Sequence, residues 1–264
     1  MTGPPTRCTA LILAGSRGPS DPVARHAGLP HKALVPVAGV PMILRVMRAL
    51  RAARSVERIV ICMDEAVLQV AEFAVVAESR ASNTVIVPTG ATPSESVLDV
   101  IHGLPGAFPL LVTTADHPLL TPVMIDHLVQ SAPAEADLVA GLASAALVRR
   151  DYPDAIRTYY RFAGEGYSGC NLFLLRNEAA ANVVTFWSAM ERHRKRPWRL
   201  IAAVGPVTMA RFLLGRLSLD AALAKLSAIV GAKVAAVEMP FAEAAIDVDK
   251  LADLALAEAI LARR

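Results

Sequence analysis

Apolar residues in the first half of this chain fall into short unbroken runs separated by amphipathic stretches. Ala10-Leu11-Ile12-Leu13, the segment 58–62 (Arg-Ile-Val-Ile-Cys), 84–87 and 108–113 are runs of this kind. Their length and their Gly, Pro and polar flanks predict strands buried on both faces of a parallel sheet. Between them the period lengthens to that of a helix. Over 42–53, Ile43, Leu44, Val46, Met47 and Leu50 share one face, with Arg45, Arg48 and Arg51 on another. Further helices are predicted over 65–78, over 94–103 with Ser94 as N-cap, and from near Pro122 with Thr121 as N-cap. Alternating strands and helices imply an α/β fold, a Rossmann-like three-layer sandwich with a mostly parallel central sheet.

The second half is less regular. Strands are expected over 137–142, 156–162 and 171–175, with Gly164, Gly166 and Gly169 between the last two. Residues 178–229 then read as almost continuous helix, punctuated by Pro197, Gly205-Pro206 and Gly215. The sheet pattern resumes over 233–237 and again over 245–248, and a last helix covers 250–262. Because the chain returns to the same pattern, we read residues 1–264 as one domain carrying a helical insertion at 178–231.

Composition narrows the class. At 264 residues and 54 % hydrophobic residues the chain can bury a sizeable core. No apolar run reaches about 18 residues without a charge, so no transmembrane helix is expected. The N-terminus has no signal-peptide pattern. Cys8, Cys62 and Cys170 are widely spaced and show no metal-ligand pattern, which suits reduced thiols in a cytoplasmic protein. A net charge of +3 is too mild to point to nucleic acid. One local charge run, residues 192–199 (Arg-His-Arg-Lys-Arg-Pro-Trp-Arg), reads either as a solvated helix end or as a patch for a lipid phosphate at a membrane surface. The apolar helix over 207–214 beside it suits core packing or a homodimer contact.

The chemistry-bearing residues gather where strands end. After the first strand, Ala14-Gly15-Ser16-Arg17-Gly18-Pro19 breaks into a small-residue loop that runs to Lys32. Loops at the carboxyl ends of parallel strands are where open α/β sheets bind ligands. Gly15 and Gly18 let backbone N–H groups approach an anion, and Arg17, Arg25 and Lys32 add charge, so a polyphosphate is the natural guest. No Gly-Lys-Ser/Thr follows, and Gly-x-Gly-x-x-Gly is absent, which excludes a P-loop and a dinucleotide fingerprint. The fourth strand ends in Thr114-Ala115-Asp116-His117-Pro118, placing a carboxylate on the same crevice, where Asp suits Mg²⁺. Asp247 and Asp249, two apart on an expected strand, would face the same way; alternatively Asp249 caps the last helix. Thr89, Gly90, Ser94 and Ser96 offer hydroxyls and a helix N-terminus to a base or ribose. Ser168, Gly169 and Asn171 form a turn suited to a sugar or polyol hydroxyl, or simply the entry to a strand. Cys170 has no partner base assignable from sequence, so a nucleophile reading is rejected.

Taken together, these segments resemble the MobA-like nucleotidyltransferases. That family is related to the molybdenum-cofactor guanylyl- and cytidylyltransferases and to the methylerythritol-phosphate cytidylyltransferases. Leu13-Ala14-Gly15-Ser16 with Arg17 or Arg25 and His31-Lys32 resembles the family's L-x-A-G-G-x-x-x-R-M followed by P-K. Asp116-His117-Pro118-Leu119-Leu120 resembles its D-x-P-L-[LIV] metal loop, Ser96-Val97 its R-x-x-S-V base segment without the Arg, and Ile246-Asp247-Val248-Asp249 its closing I-D-V-D. The likeness covers residues 8–176 and 233–262.

The resemblance implies an Mg²⁺- or Mn²⁺-dependent transfer of an NMP from an NTP, CTP somewhat favoured over GTP, to a phosphorylated small-molecule or lipid-precursor acceptor with loss of pyrophosphate. It implies Arg17, Lys32 and Asp116 as catalytic residues and Asp116, Asp247 and Asp249 at the metal. Leu13, Ala14, Gly15, Ser16, Arg17, Lys32, Thr89, Gly90, Ser94 and Ser96 would hold the nucleotide, and Ser168, Gly169 and Asn171 the acceptor. The segment 178–231 would decide the acceptor or an oligomer contact and contribute nothing to NTP binding. The competing reading keeps the fold but not the chemistry: a non-catalytic nucleotide-binding or membrane-associated module.

Overall fold

The computed structural model describes residues 7–15, 20–69, 73–80, 83–192 and 205–264. Its ten strands, in chain order among the described residues, are β1 (Cys8–Leu13), β2 (Pro36–Val37), β3 (Val40–Pro41), β4 (Val56–Cys62), β5 (Thr84–Val87), β6 (Leu110–Thr114), β7 (Leu138–Ser144), β8 (Tyr160–Arg161), β9 (Gly166–Leu175) and β10 (Val234–Glu238). All but the β2–β3 hairpin join one sheet ordered β10-β7-β9-β6-β1-β4-β5, with β8 on β9. The β1–β4, β1–β6, β4–β5 and β7–β10 pairs are parallel, while β9 runs antiparallel between β6 and β7. From β1 the chain steps outward to β4 and β5, then crosses back to β6 on the other side of β1. The order therefore reverses beside β1, and a crevice opens at the strand ends there.

The central strands are apolar on both faces, as continuous runs must be when helices cover each side. On one face the helix Met42–Ala52 buries Ile43, Leu44, Val46, Met47 and Leu50 against β1, β4 and β6. Its outward Arg48 and Arg51 pair with Glu78. On the other face Val97 and Val100 of Pro93–Gly103 pack with Ala180, Val183 and Val184 of Ala180–Arg192 over Leu11, Val60 and Val112. A third cluster joins Val23, Val35, Met42 and Leu119 to Ile246, Val248 and Ile260, fixing the C-terminal segment under the first loop.

Several sequence expectations shift. The third strand-following helix is capped by Thr92, whose Oγ1 accepts from Glu95 N, because Pro93 takes the first helical position. Ser94 is thus inside the helix and buried. The expected helix 65–78 is two pieces, Glu65–Gln69 and Phe73–Ser79. The expected strand over 156–162 shortens to β8, whereas β9 begins five residues earlier than expected, at Gly166. Residues 245–248 form no strand: Ala242–Ala245 is a 3-10 turn and the chain then runs on irregularly. The expected helix over 178–229 is Ala180–Arg192, Pro206–Leu213 and Leu219–Val230. The first of these packs into the core, so that part of the segment covers the sheet. The other two bury none of their residues, and Val207, Leu213 and Leu214 are exposed. The basic run beyond Arg192 lies outside the described residues. No described helix is long and apolar enough to cross a membrane.

Candidate active site

The crevice is a cleft of about 880 Å³, within the range of small-molecule sites. Its floor comes from the ends of four parallel strands: Leu13 and Gly15 after β1, Cys62 and Asp64 after β4, Thr89 to Thr92 after β5, and Thr114 to Asp116 after β6. Lys32, Asp249 and Glu191 enter from elsewhere.

Lys32 reaches the cleft because His31 starts a tight 3-10 turn, its Nδ1 accepting from Ala33 N at 3.1 Å. Burial pushes the His31 imidazole below its ordinary range, which keeps that acceptor available. The Lys32 ammonium donates to Asp116 Oδ2 at 2.6 Å and to Asp249 Oδ1 at 2.8 Å. Burial opposes its charge, but the two carboxylates outweigh that penalty and hold its pKa above the usual lysine value. Val248 N donates to the Asp116 carbonyl at 2.9 Å, which ties the C-terminal segment to the β6 loop and brings Asp249 beside Asp116.

The second carboxylate oxygen of Asp116 is buried and accepts no hydrogen bond. Two carboxylates against one ammonium leave a net negative charge at a partly buried point. An orphaned oxygen of this kind, with excess negative charge around it, fits a hard divalent cation. Among the described residues no group of three His, Cys, Asp or Glu side chains forms a closed metal cage.

Asp247 is placed differently from the sequence expectation. Without a strand over 245–248 the alternation argument lapses, and its carboxylate turns to Arg157 and to Asn171 Nδ2, the latter at 2.8 Å. Arg157 also pairs with Asp253, which accepts from Asp249 N and Lys250 N and so caps the last helix. Burial, then the Asp116 and Asp249 charges, push Asp247 up to about 6 against the opposing pull of Arg157. Asn171, at φ 46°, occupies the left-handed region that Asn tolerates.

The remaining candidates divide. Leu13, Gly15, Lys32, Thr89, Gly90, Ser96, Asp116 and Asp249 line the cleft. Ala14 is buried beside it, its N–H held by Cys62 O. Ser94 meets the cleft through Glu191, and Ser168, Gly169 and Asn171 lie outside its lining. Ser16 and Arg17 fall outside the described residues. Gly90 has a steric reason: a Cβ there would come within 2.9 Å of Ser96 N. Gly90 N donates to Ser96 Oγ at 2.9 Å, pinning the β5 loop on the helix start. His117 is fully buried and lowered to about 4 by burial, with Nε2 3.3 Å from Glu243 O, so it is a neutral neighbour and no base. Burial pushes the Cys170 thiol well up, in keeping with the rejected nucleophile.

Three residues escaped sequence reasoning. Asp64 accepts from Thr89 Oγ1 at 2.7 Å, Arg157 organises Asp247 and Asp253, and Glu191 lines the cleft from the segment expected to avoid it. A carboxylate just past β4 was a detectable signal for Asp64; the other two carried none.

A cleft at the reversal point of a mostly parallel sheet, holding a lysine between Asp116 at the end of β6 and Asp249 of the C-terminal segment, stands where open α/β sheets bind their ligands. The model of the MobA-like NTP transferase domain matches residues 10–203. The chain belongs to that family and is a nucleotidyltransferase. Enzymes of this kind generally use a divalent metal. Among solved structures it is similar to a hypothetical transferase from Thermus thermophilus, at 28 % identity and a TM-score of 0.78 over 94 % of this chain and 100 % of that one. It shares its fold with CMP:2-keto-3-deoxy-manno-octonic acid synthetase complexed with CTP (14 % identity, TM-score 0.55, 98 % of each chain). The same holds for 4-diphosphocytidyl-2C-methyl-D-erythritol synthase from Anaerococcus prevotii (12 % identity, TM-score 0.60, 98 % of this chain and 97 % of that one). A comparison with curated proteins returned no match.

Proposed function

We propose that this chain transfers a nucleoside monophosphate from an NTP, CTP in preference to GTP, to a phosphorylated small-molecule or lipid-precursor acceptor. The observation that carries the proposal is the Lys32 ammonium held between Asp116 and Asp249 at the floor of the cleft. An acceptor phosphate oxygen attacks the α-phosphorus, the bond from that phosphorus to the bridging oxygen breaks, and pyrophosphate leaves with the electron pair. The attacking oxygen is already ionised, so no general base is required, and the buried His117 Nε2 faces the Glu243 carbonyl. Positioning and charge neutralisation then supply the rate.

Lys32 neutralises the triphosphate, joined by Arg17 through its resemblance to the family arginine. The backbone from Leu13 to Ser16 approaches the phosphates, and Thr89, Gly90, Ser94 and Ser96 shape the base end. Asp116 and Asp249 would hold the divalent cation, Mg²⁺ or Mn²⁺, which when bound would supply a template and Lewis acid for the phosphates. Asp247 instead orients Asn171, whose turn with Ser168 and Gly169 receives the acceptor. The helices beyond Gly205, with their exposed apolar residues, serve as the insertion that meets the acceptor or a second copy of the chain in the cytoplasm or at a membrane face.

Pyrophosphate release tests this with each NTP, Mg²⁺ and pooled phosphorylated metabolites. Release that requires both CTP or GTP and the pool supports the proposal. NTP binding without turnover under any pool would favour the non-catalytic module instead.

A further inference from the structure

Glu191 closes one end of the cleft. It stands in the last turn of Ala180–Arg192, and its Oε2 accepts from the buried Ser94 Oγ at 2.9 Å. Ser94 lies in the helix that leaves the end of β5, whereas Lys32 meets Asp116 at the end of β6. β4 and β1 intervene between β5 and β6. Three interstrand steps of about 4.8 Å put the two ends roughly 14 Å apart, comparable with the reach of an extended nucleoside triphosphate.

The two ends differ in charge. The β6 end carries Lys32 between Asp116 and Asp249, the pair read as the cation site. The β5 end carries Asp64 and Glu191, and among the described residues neither forms an ion pair. With a divalent cation on Asp116 and Asp249, as the proposed function has it, phosphates are drawn to the first end and repelled from the second, so a bound NTP lies with its base toward Glu191. A carboxylate is an acceptor without a donor when ionised. It pairs with an exocyclic amine, the 4-amino group of cytosine or the N1–H and 2-amino group of guanine, and at the place of the cytosine amine it meets the 4-carbonyl oxygen of uracil, which it repels. A site built to bond such a group rejects analogues that leave its polar atoms unpaired.

We infer that Glu191, held by Ser94, is the residue that selects amino-bearing bases over uracil. The inference rests on reading the cleft as the NTP site and assigns the base end to a helix outside the nucleotide motifs.

The test is calorimetric binding of CTP, GTP, ATP and UTP, each with Mg²⁺, to the wild-type chain, Glu191→Gln and Ser94→Ala. The Gln amide can donate to the uracil carbonyl and keeps an oxygen for Ser94. We expect the wild type to bind CTP or GTP at least tenfold tighter than UTP, and the tighter of the two names the base. Glu191→Gln should shrink that ratio at least fivefold, by weaker binding of the amino base and stronger binding of UTP. Ser94→Ala should shrink it less. An unchanged ratio, or an equal loss for all four nucleotides with a lower Tm, would reduce Glu191 to a packing residue and overturn the inference. If no NTP binds the wild type, the function proposed for the cleft falls, and this inference with it.

Discussion

Lys32 faces two carboxylates, and substitutions at Asp116 and at Lys32 test the two roles proposed for them separately. Asp116 offers one oxygen to Lys32 and an orphaned one to a cation. Asp116→Asn keeps the shape but removes the charge. We expect turnover to fall by about 10²–10³, the scale of a lost transition-state contact, with Tm little changed. Near-normal turnover at saturating Mg²⁺ would exclude the metal role. Lys32→Ala leaves Asp116 and Asp249 facing each other without their ammonium. We expect kcat to drop by roughly 2–4 kcal/mol of barrier while the KM for NTP changes little. The variant's Tm should also rise more on adding Mg²⁺ than the wild type's, because the cation relieves a repulsion that Lys32 otherwise balances. Thermal scans with and without Mg²⁺ read this directly, and equal shifts would count against a shared cation site. Lys32 and Asp116 were legible in the sequence because each ends a short local pattern, loop-to-lysine or strand-to-aspartate. Arg157 was not, since its partners Asp247 and Asp253 are remote in the chain.

At the scale of elements, one proline moves a cap and frees a hydroxyl. Pro93 suits the first helical turn, which shifts the cap to Thr92 and leaves the Ser94 hydroxyl to donate to Glu191. The C-terminal segment was misread as a strand because Ala245-Ile246-Asp247-Val248 alternates, yet its buried Ile246 and Val248 pack under the first loop. Arg157 braces this irregular stretch through Asp247 and Asp253. With Arg157→Met, two largely buried carboxylates lose their cation, and we expect a stability cost of roughly 3–5 kcal/mol. The pH dependence has a definite sign. The Asp247 pKa is raised from 3.8 to about 6 in the folded chain, so the folded state binds the proton more tightly. Its contribution is fully present below about pH 4 and is lost as pH rises through about 6. Removing Arg157 raises that folded value further, so the variant's deficit should be larger at pH 8 than at pH 5. Urea melts with chelator present measure it, and a deficit equal at both values would show that Arg157 acts through packing alone.

At the scale of the whole molecule, the sheet order brings four strand ends to one cleft, and Ala180–Arg192 roofs its β5 side. Nucleotide binding should therefore be felt in that helix and in Pro93–Gly103, while Leu219–Val230, which lines no part of the cleft, should not respond. We expect CTP with Mg²⁺ to slow amide hydrogen exchange in the first two helices and to leave the third unchanged. Slowing confined to Leu219–Val230 would show that the helical segment, not the cleft, takes the nucleotide.

By itself the sequence determined the strand–helix alternation of the first half and the placing of Lys32 and Asp116 in loops that line the cleft, because each depends on contacts between near neighbours in the chain. Periodicity, caps and loop composition record those contacts directly. Only the tertiary structure decided that β9 inserts antiparallel between β6 and β7, that Asp249 rather than Asp247 meets Lys32, and that Glu191 reaches the cleft. Each of these is a meeting of segments distant in sequence, settled by which apolar faces bury together and which polar groups must then find partners.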